Sequence, residues 1–93
     1  MINHNDSNLY PTRDLYLASV LVTLKFPVLS IDVQMEGRRQ TPVGYFTFER
    51  TQDLINAESR YMRDELLVEP KLFVSNMKNL KAQVINAANS PIR

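Results

Sequence analysis

Acid–base or nucleophilic chemistry needs a nucleophile beside a base, two carboxylates held in different environments, or a metal gripped by converging ligands. The sequence supplies few such sets. Its single histidine, His4, stands in a polar leading segment with Asn3, Asn5, Asp6, Ser7 and Asn8, where little can orient a side chain. There is no cysteine, which removes thiolate zinc sites, cysteine nucleophiles and disulfides together. The two glycines, Gly37 and Gly44, are too few for a phosphate-cradling loop or a dinucleotide fingerprint, and no GxSxG elbow occurs. Asp64, Glu65 and Glu69 form one acidic cluster that could hold magnesium or share a proton. Its position between two helical segments reads more simply as a solvated helix end and connector. The expectation is a non-enzymatic protein with no cofactor and no metal.

The basic residues are arranged more suggestively. Arg38 and Arg39 fall between two strand-like segments. A basic hairpin tip there can grip phosphates or enter a nucleic-acid groove, and it can equally serve as a solvated loop that discourages edge-to-edge pairing. Lys71 and Lys78 are seven residues apart and share one side of a helix, with Lys81, Val74 and Ile85 in the same sector. That mixed flank can contact phosphates through its ammonium groups, or it can border a core-facing stripe with lysine stems on apolar atoms and their heads in water. Tyr45, opposite Phe46 and Phe48 on a strand, is the aromatic best placed to stack on a base. The net charge of +1 argues against a dedicated nucleic-acid binder, so any basic surface must arise from local clustering.

These side chains need a scaffold, and its centre is the stretch TRDLYLASVLVTLK over residues 12–25. Leu15, Leu17, Ala18, Val20, Leu21, Val22 and Leu24 cover more than half of a helical wheel. Only Tyr16, Ser19 and Thr23 interrupt them. Thr12 reads as the N-cap with Asp14 in the first turn, and Pro27 ends the helix. A bilayer span needs about 20 apolar residues, so this helix is expected to be a core or partner helix and not a membrane one. The leading residues lack the basic segment and apolar run of a secretion leader. A cytoplasmic location is expected.

An alternating segment follows over residues 28–35, with Leu29, Ile31, Val33 and Met35 on one face. Residues 36–42 form a loop, and a second strand over 43–49 puts Gly44, Phe46 and Phe48 on one side. Together they predict an antiparallel hairpin. Thr51 caps a second helix carrying Leu54, Ile55, Ala57, Tyr61 and Met62. Leu66-Leu67-Val68 is extended and is expected to add a short third strand, because an isolated hairpin is marginal in water. Pro70 opens a last helix, whose Phe73, Met77, Leu80, Val84 and Ala88 make a core stripe. The fold class is α+β: a small antiparallel sheet packed with three helices. The expected layout is a mobile tail at 1–10, one domain over 11–88 and a short tail at 89–93, within the size of a single small domain.

This pattern resembles a family of short bacterial and phage-associated domains of unknown function. The matching residues are Thr12-x-Asp14-Leu15 with Ala18, Phe46-x-Phe48, Leu54 and Tyr61, Leu66-x-Val68-x-Pro70-x-x-Phe73, and Leu80-Lys81. The similarity covers roughly residues 10–88. It implies a bacterial or mobile-element setting and an accessory role, and it brings no activity, ligand or partner.

Two functions follow as expectations. The first is a protein-interaction module, with self-association and a homodimer among its forms. Its motive is the breadth of apolar surface on the first helix, with Leu15, Ala18, Val22, Val74 and Ile85 as candidate interface residues. The alternative is a small nucleic-acid-binding accessory protein using Arg38, Arg39, Lys71, Lys78 and Lys81.

Overall fold

A computed structural model describes residues 8–89. Six elements run in the order β1 (Leu9–Thr12), α1 (Leu15–Thr23), β2 (Val28–Glu36), β3 (Thr41–Glu49), α2 (Gln52–Met62) and α3 (Pro70–Asn89). The three strands form one antiparallel sheet in the order β1-β3-β2, and the helices pack on the face that carries Phe46 and Phe48. This is the α+β architecture the sequence predicts.

The third strand, however, is not Leu66-Leu67-Val68, which has no strand pairing. It is Leu9–Thr12, which pairs Tyr10 with Phe48 and Thr12 with Phe46. Leu9 and Tyr10 therefore belong to the sheet and not to a tail. His4, with the rest of residues 1–7, lies outside the described residues, as do residues 90–93. Pro11 obscures this strand in the sequence, yet an edge strand tolerates a proline that a central one does not.

The start of α1 shifts accordingly. Thr12 closes β1, and its Oγ1 accepts the Asp14 backbone N–H at 3.1 Å. Asp14 is the N-cap: its Oδ1 accepts from the N–H groups of Tyr16 at 3.0 Å and Leu17 at 3.1 Å. A carboxylate there satisfies two of the orphan donors at a helix start. At the other end Lys25 adopts φ 80°. Its N–H bonds Val22 O and that of Phe26 bonds Leu21 O, the paired arrangement that closes a helix through a left-handed residue.

Most of the apolar surface on α1 is covered within the chain, with Leu15, Val22 and Leu24 left half-buried. Leu17, Ala18, Val20 and Leu21 are buried, and Leu17, Ala18 and Leu21 share a core with Phe46, Phe48, Leu54, Leu80 and Val84. The weak polar stripe splits. Tyr16 is exposed, whereas Ser19 and Thr23 are buried. The Ser19 hydroxyl donates to Leu15 O and the Thr23 hydroxyl to Ser19 O, each at 2.7 Å. Thr23 Oγ1 also accepts from Asn76 Nδ2 on α3 at 3.0 Å, so the helices are joined by a satisfied polar contact inside the core.

β2 departs from simple alternation. A bulge falls between Val28 and Ser30, so Val28, Ile31 and Val33 pack on the core while Leu29 is exposed. An extra residue in one strand reverses the faces beyond it. The hairpin loop is short, residues 37–40, with Gly37 at φ 79° and Gln40 at φ 53°. Pro42 does not delay the ladder, since it pairs with Met35 inside β3.

The edge strand β1 is clasped to α2. The half-buried Tyr10 donates its hydroxyl to Glu58 Oε2 at 3.0 Å, and the Arg50 guanidinium lies 5.3 Å from its ring centroid. Burial first, then the bond to Glu58, pushes the Tyr10 hydroxyl up to about 12. A folded-state value above the unfolded one near 10 means a stabilisation fully present below about pH 10 and lost as pH rises through about 12. The urea midpoint of the native chain is therefore expected to fall more steeply across that interval than that of Tyr10→Phe. Parallel declines in the two proteins would contradict the clasp.

Candidate interaction surface

α3 is the element that presents the expected basic and apolar residues together. Glu69 starts it: its carboxylate accepts the N–H groups of Lys71 at 3.0 Å and Leu72 at 2.7 Å, while Pro70 occupies the first turn, where its missing N–H costs nothing. Leu80 and Val84 are buried toward the sheet and α1. Lys71, Val74, Lys78, Lys81 and Ile85 fall within about 80° of the wheel on the adjacent side, and all five are exposed. Val74 keeps 39% and Ile85 43% of its surface in solvent. The successive spacings of three and four residues are those of a helix seam that faces another helix.

The charge on this side is of one sign. α3 contains three lysines and no acidic residue. Among the described residues, the ion pairs are Arg13–Glu36 and Arg63–Glu65, so none involves a lysine of α3.

Beside the seam lies a groove of about 360 Å³. Leu15, Phe46, Val84 and Ile85 supply apolar walls, and the start of β3 closes it through Pro42, Val43 and Gly44. The groove exists because β1 pairs with β3 over residues 46–49, which leaves the first half of β3 without a strand on that side among the described residues. Gly44 sets how close α3 comes. A Cβ there would fall well inside contact distance of Val84 Cγ2 and 3.2 Å from the Phe46 ring.

Two cations stand at the groove, and they differ. Arg13 is committed to Glu36, 3.1 Å away. It also donates to the Tyr45 hydroxyl at 3.4 Å and lies 5.7 Å from the Tyr45 ring centroid. Tyr45 in turn donates its hydroxyl to Glu36, and that bond, followed by burial, raises the tyrosine above its ordinary value. This cluster ties the loop before α1 to the hairpin, and it holds Tyr45 away from a free stacking role. Lys81 has no ion-pair partner among the described residues.

The candidate residues thus separate into distinct places. Ala18 has no exposed surface, and Leu15 and Val22 pack against the core. On this side of α1 the chain itself covers Ala18, while Leu15 and Val22 stay half-buried, with Leu15 reaching the groove wall. Val74 and Ile85 remain open on α3. Arg38 and Arg39 are exposed in the hairpin turn, while Lys71, Lys78 and Lys81 are strung along α3. Lys81 alone shares a groove with the root of the hairpin. In the acidic connector, Glu65 pairs with Arg63 at 3.0 Å and Glu69 caps α3. Asp64 takes φ 58° where α2 closes. Leu29 and Met35 are exposed on β2, a free edge that its bulge and Asp32 guard against added strands.

The sequence alone does not reveal the contributions of Pro42, Val43 and Arg13. The one available signal is Gly44, since a glycine inside a strand marks a close approach of another element.

No known protein family, no curated protein and no solved structure matches the chain. No helix among the described residues is long and apolar enough to cross a membrane.

Proposed function

We propose that this chain is a cytoplasmic, non-enzymatic protein-binding module, and that its binding surface is the open side of α3 with the adjoining groove. The observation that carries this reading is a pair of half-exposed apolar residues on one side of α3, Val74 and Ile85, with a concave apolar surface adjoining Ile85. Nearly every other apolar face of α1 and of the sheet interior is spent on the core. Apolar surface left open next to a groove gains most by receiving a protein side chain. A nucleic-acid interface would reward phosphate-neutralising groups but not apolar walls. The bacterial or mobile-element setting rests on the sequence resemblance and enters as part of the same proposal.

The test is affinity purification of the tagged full chain from its host, with protein identification and nucleic-acid recovery from one sample. The expected result is a co-purifying protein that is lost from Val74→Asp/Ile85→Asp, whose two substitutions lie outside the buried core. Recovery of nucleic acid without protein would overturn the reading, as would a protein retained equally by the double variant.

A further inference from the structure

We infer that the segment received by this surface is an acidic amphipathic helix of another protein, about three turns long, lying along α3. The inference rests on the reading of α3 as the binding face, and it adds the chemistry of the occupant.

Four observations lead to it. Lys71, Val74, Lys78, Lys81 and Ile85 repeat at three and four residues, the spacing at which one helix meets the side chains of another along a common line. The two apolar positions, Val74 and Ile85, are eleven residues apart, which at the helical rise is about 16 Å, or three turns. The lysines between and beyond them have no ion-pair partner among the described residues, and α3 has no acid of its own. The groove beside Ile85 is walled by Leu15, Phe46 and Val84, a place for one larger apolar side chain at the far end of the seam. An occupant that satisfies all four presents apolar residues on one stripe and carboxylates beside it. Lysine stems then cover the apolar stripe while their ammonium groups meet the carboxylates at the rim.

A second copy of this chain fits less well. Antiparallel pairing of two α3 helices that sets Val74 against Ile85 also sets Lys78 against Lys81, so like charges meet at the centre. The chain's own acidic connector is already engaged through Arg63–Glu65 and the Glu69 cap.

The test uses a fluorescein-labelled peptide of two Leu-Glu-Glu-Leu-Leu-Glu-Glu heptads, a scrambled isomer of equal charge, and a counterpart with Lys for Glu, each titrated with the full chain. The acidic helix is expected to bind, with amide shifts concentrated on α3 and on Pro42's neighbours in β3. Binding should weaken at least about tenfold for the scrambled isomer, and at least about tenfold for Lys78→Glu/Lys81→Glu. The basic counterpart should bind that charge-reversed variant better than the native chain. Equal binding of the scrambled isomer, or undiminished binding by Lys78→Glu/Lys81→Glu, would overturn the inference. Sedimentation showing a dimer abolished by Lys78→Glu/Lys81→Glu would overturn it in favour of a second copy. Duplex DNA that binds at low salt and displaces the acidic helix would overturn it in favour of nucleic acid. If none of the peptides binds while Val74→Asp/Ile85→Asp still loses its host protein, the inference falls and the binding face stands.

Discussion

Phe48→Ala lowers the thermal midpoint of the domain by at least about 12 °C. Phe48 has no exposed surface and sits at the middle of the sheet, with Tyr10 on one side and Val28 on the other. Truncating a buried phenylalanine costs about 3–5 kcal/mol, because the lost transfer energy is joined by the cavity left behind. A chain of 93 residues holds only a modest stability in total, about 0.05–0.15 kcal/mol per residue. Each kilocalorie per mole is worth about 4–8 °C in a domain of this size, which sets the lower bound of the shift. The loss should act on the whole molecule, because Phe48 joins the one core that all three helices share. Calorimetry or the far-ultraviolet melting curve measures it. A drop of only a degree or two would mean that the sheet and helices do not share that core.

Gly44→Ala is also destabilising, by about 1–3 kcal/mol, although alanine has the lower conformational entropy cost and glycine weakens strands. The added methyl meets Val84 Cγ2 inside contact distance. Valine cannot easily turn away, since its branched χ1 has one strongly preferred rotamer in a helix. α3 must therefore lift from β3. The same substitution reshapes the groove wall that Gly44 and Val84 share. The specific check is a double-mutant cycle with Val84→Ala. Removal of the clashing methyl should recover much of the loss, so the two changes together cost less than their sum. Strict additivity would show that Gly44 is required for some reason other than the approach of Val84.

The sequence made the helices legible because their signals are local. Pro70 at a helix start and Thr51 as an N-cap need no tertiary information, and Thr51 Oγ1 does accept the Leu54 N–H at 3.1 Å. The α+β class followed from the switch between helical and alternating periods. What the sequence hid were pairings between distant residues. Leu9–Thr12 is four residues long, carries a proline and lies beside a polar leader, so nothing local marks it as a strand. The Leu29 bulge is a register event, and strand register is set by the partner. The surroundings of Leu15, Ala18 and Val22 were hidden for a related reason: Ala18 is fully buried, whereas Leu15 and Val22 are half-buried and Leu15 lines the groove. A helix that is apolar nearly all round must be covered, but the sequence does not say whether its own chain or another supplies the cover, and here the chain supplies most of it. Val74 and Ile85 were legible as a flank of the core stripe, whereas the groove beside them depends on where β1 stops along β3.

The open face of α3, as proposed, binds a partner and is not needed by the fold. It is tested most directly by comparing native chain and Val74→Asp/Ile85→Asp in one experiment that reads both stability and capture. Both residues are near 40% exposed, so the urea midpoint should move little, as is usual for surface substitutions. The protein co-purified from the host should disappear. A double variant with unchanged midpoint that still captures the same protein would contradict the account.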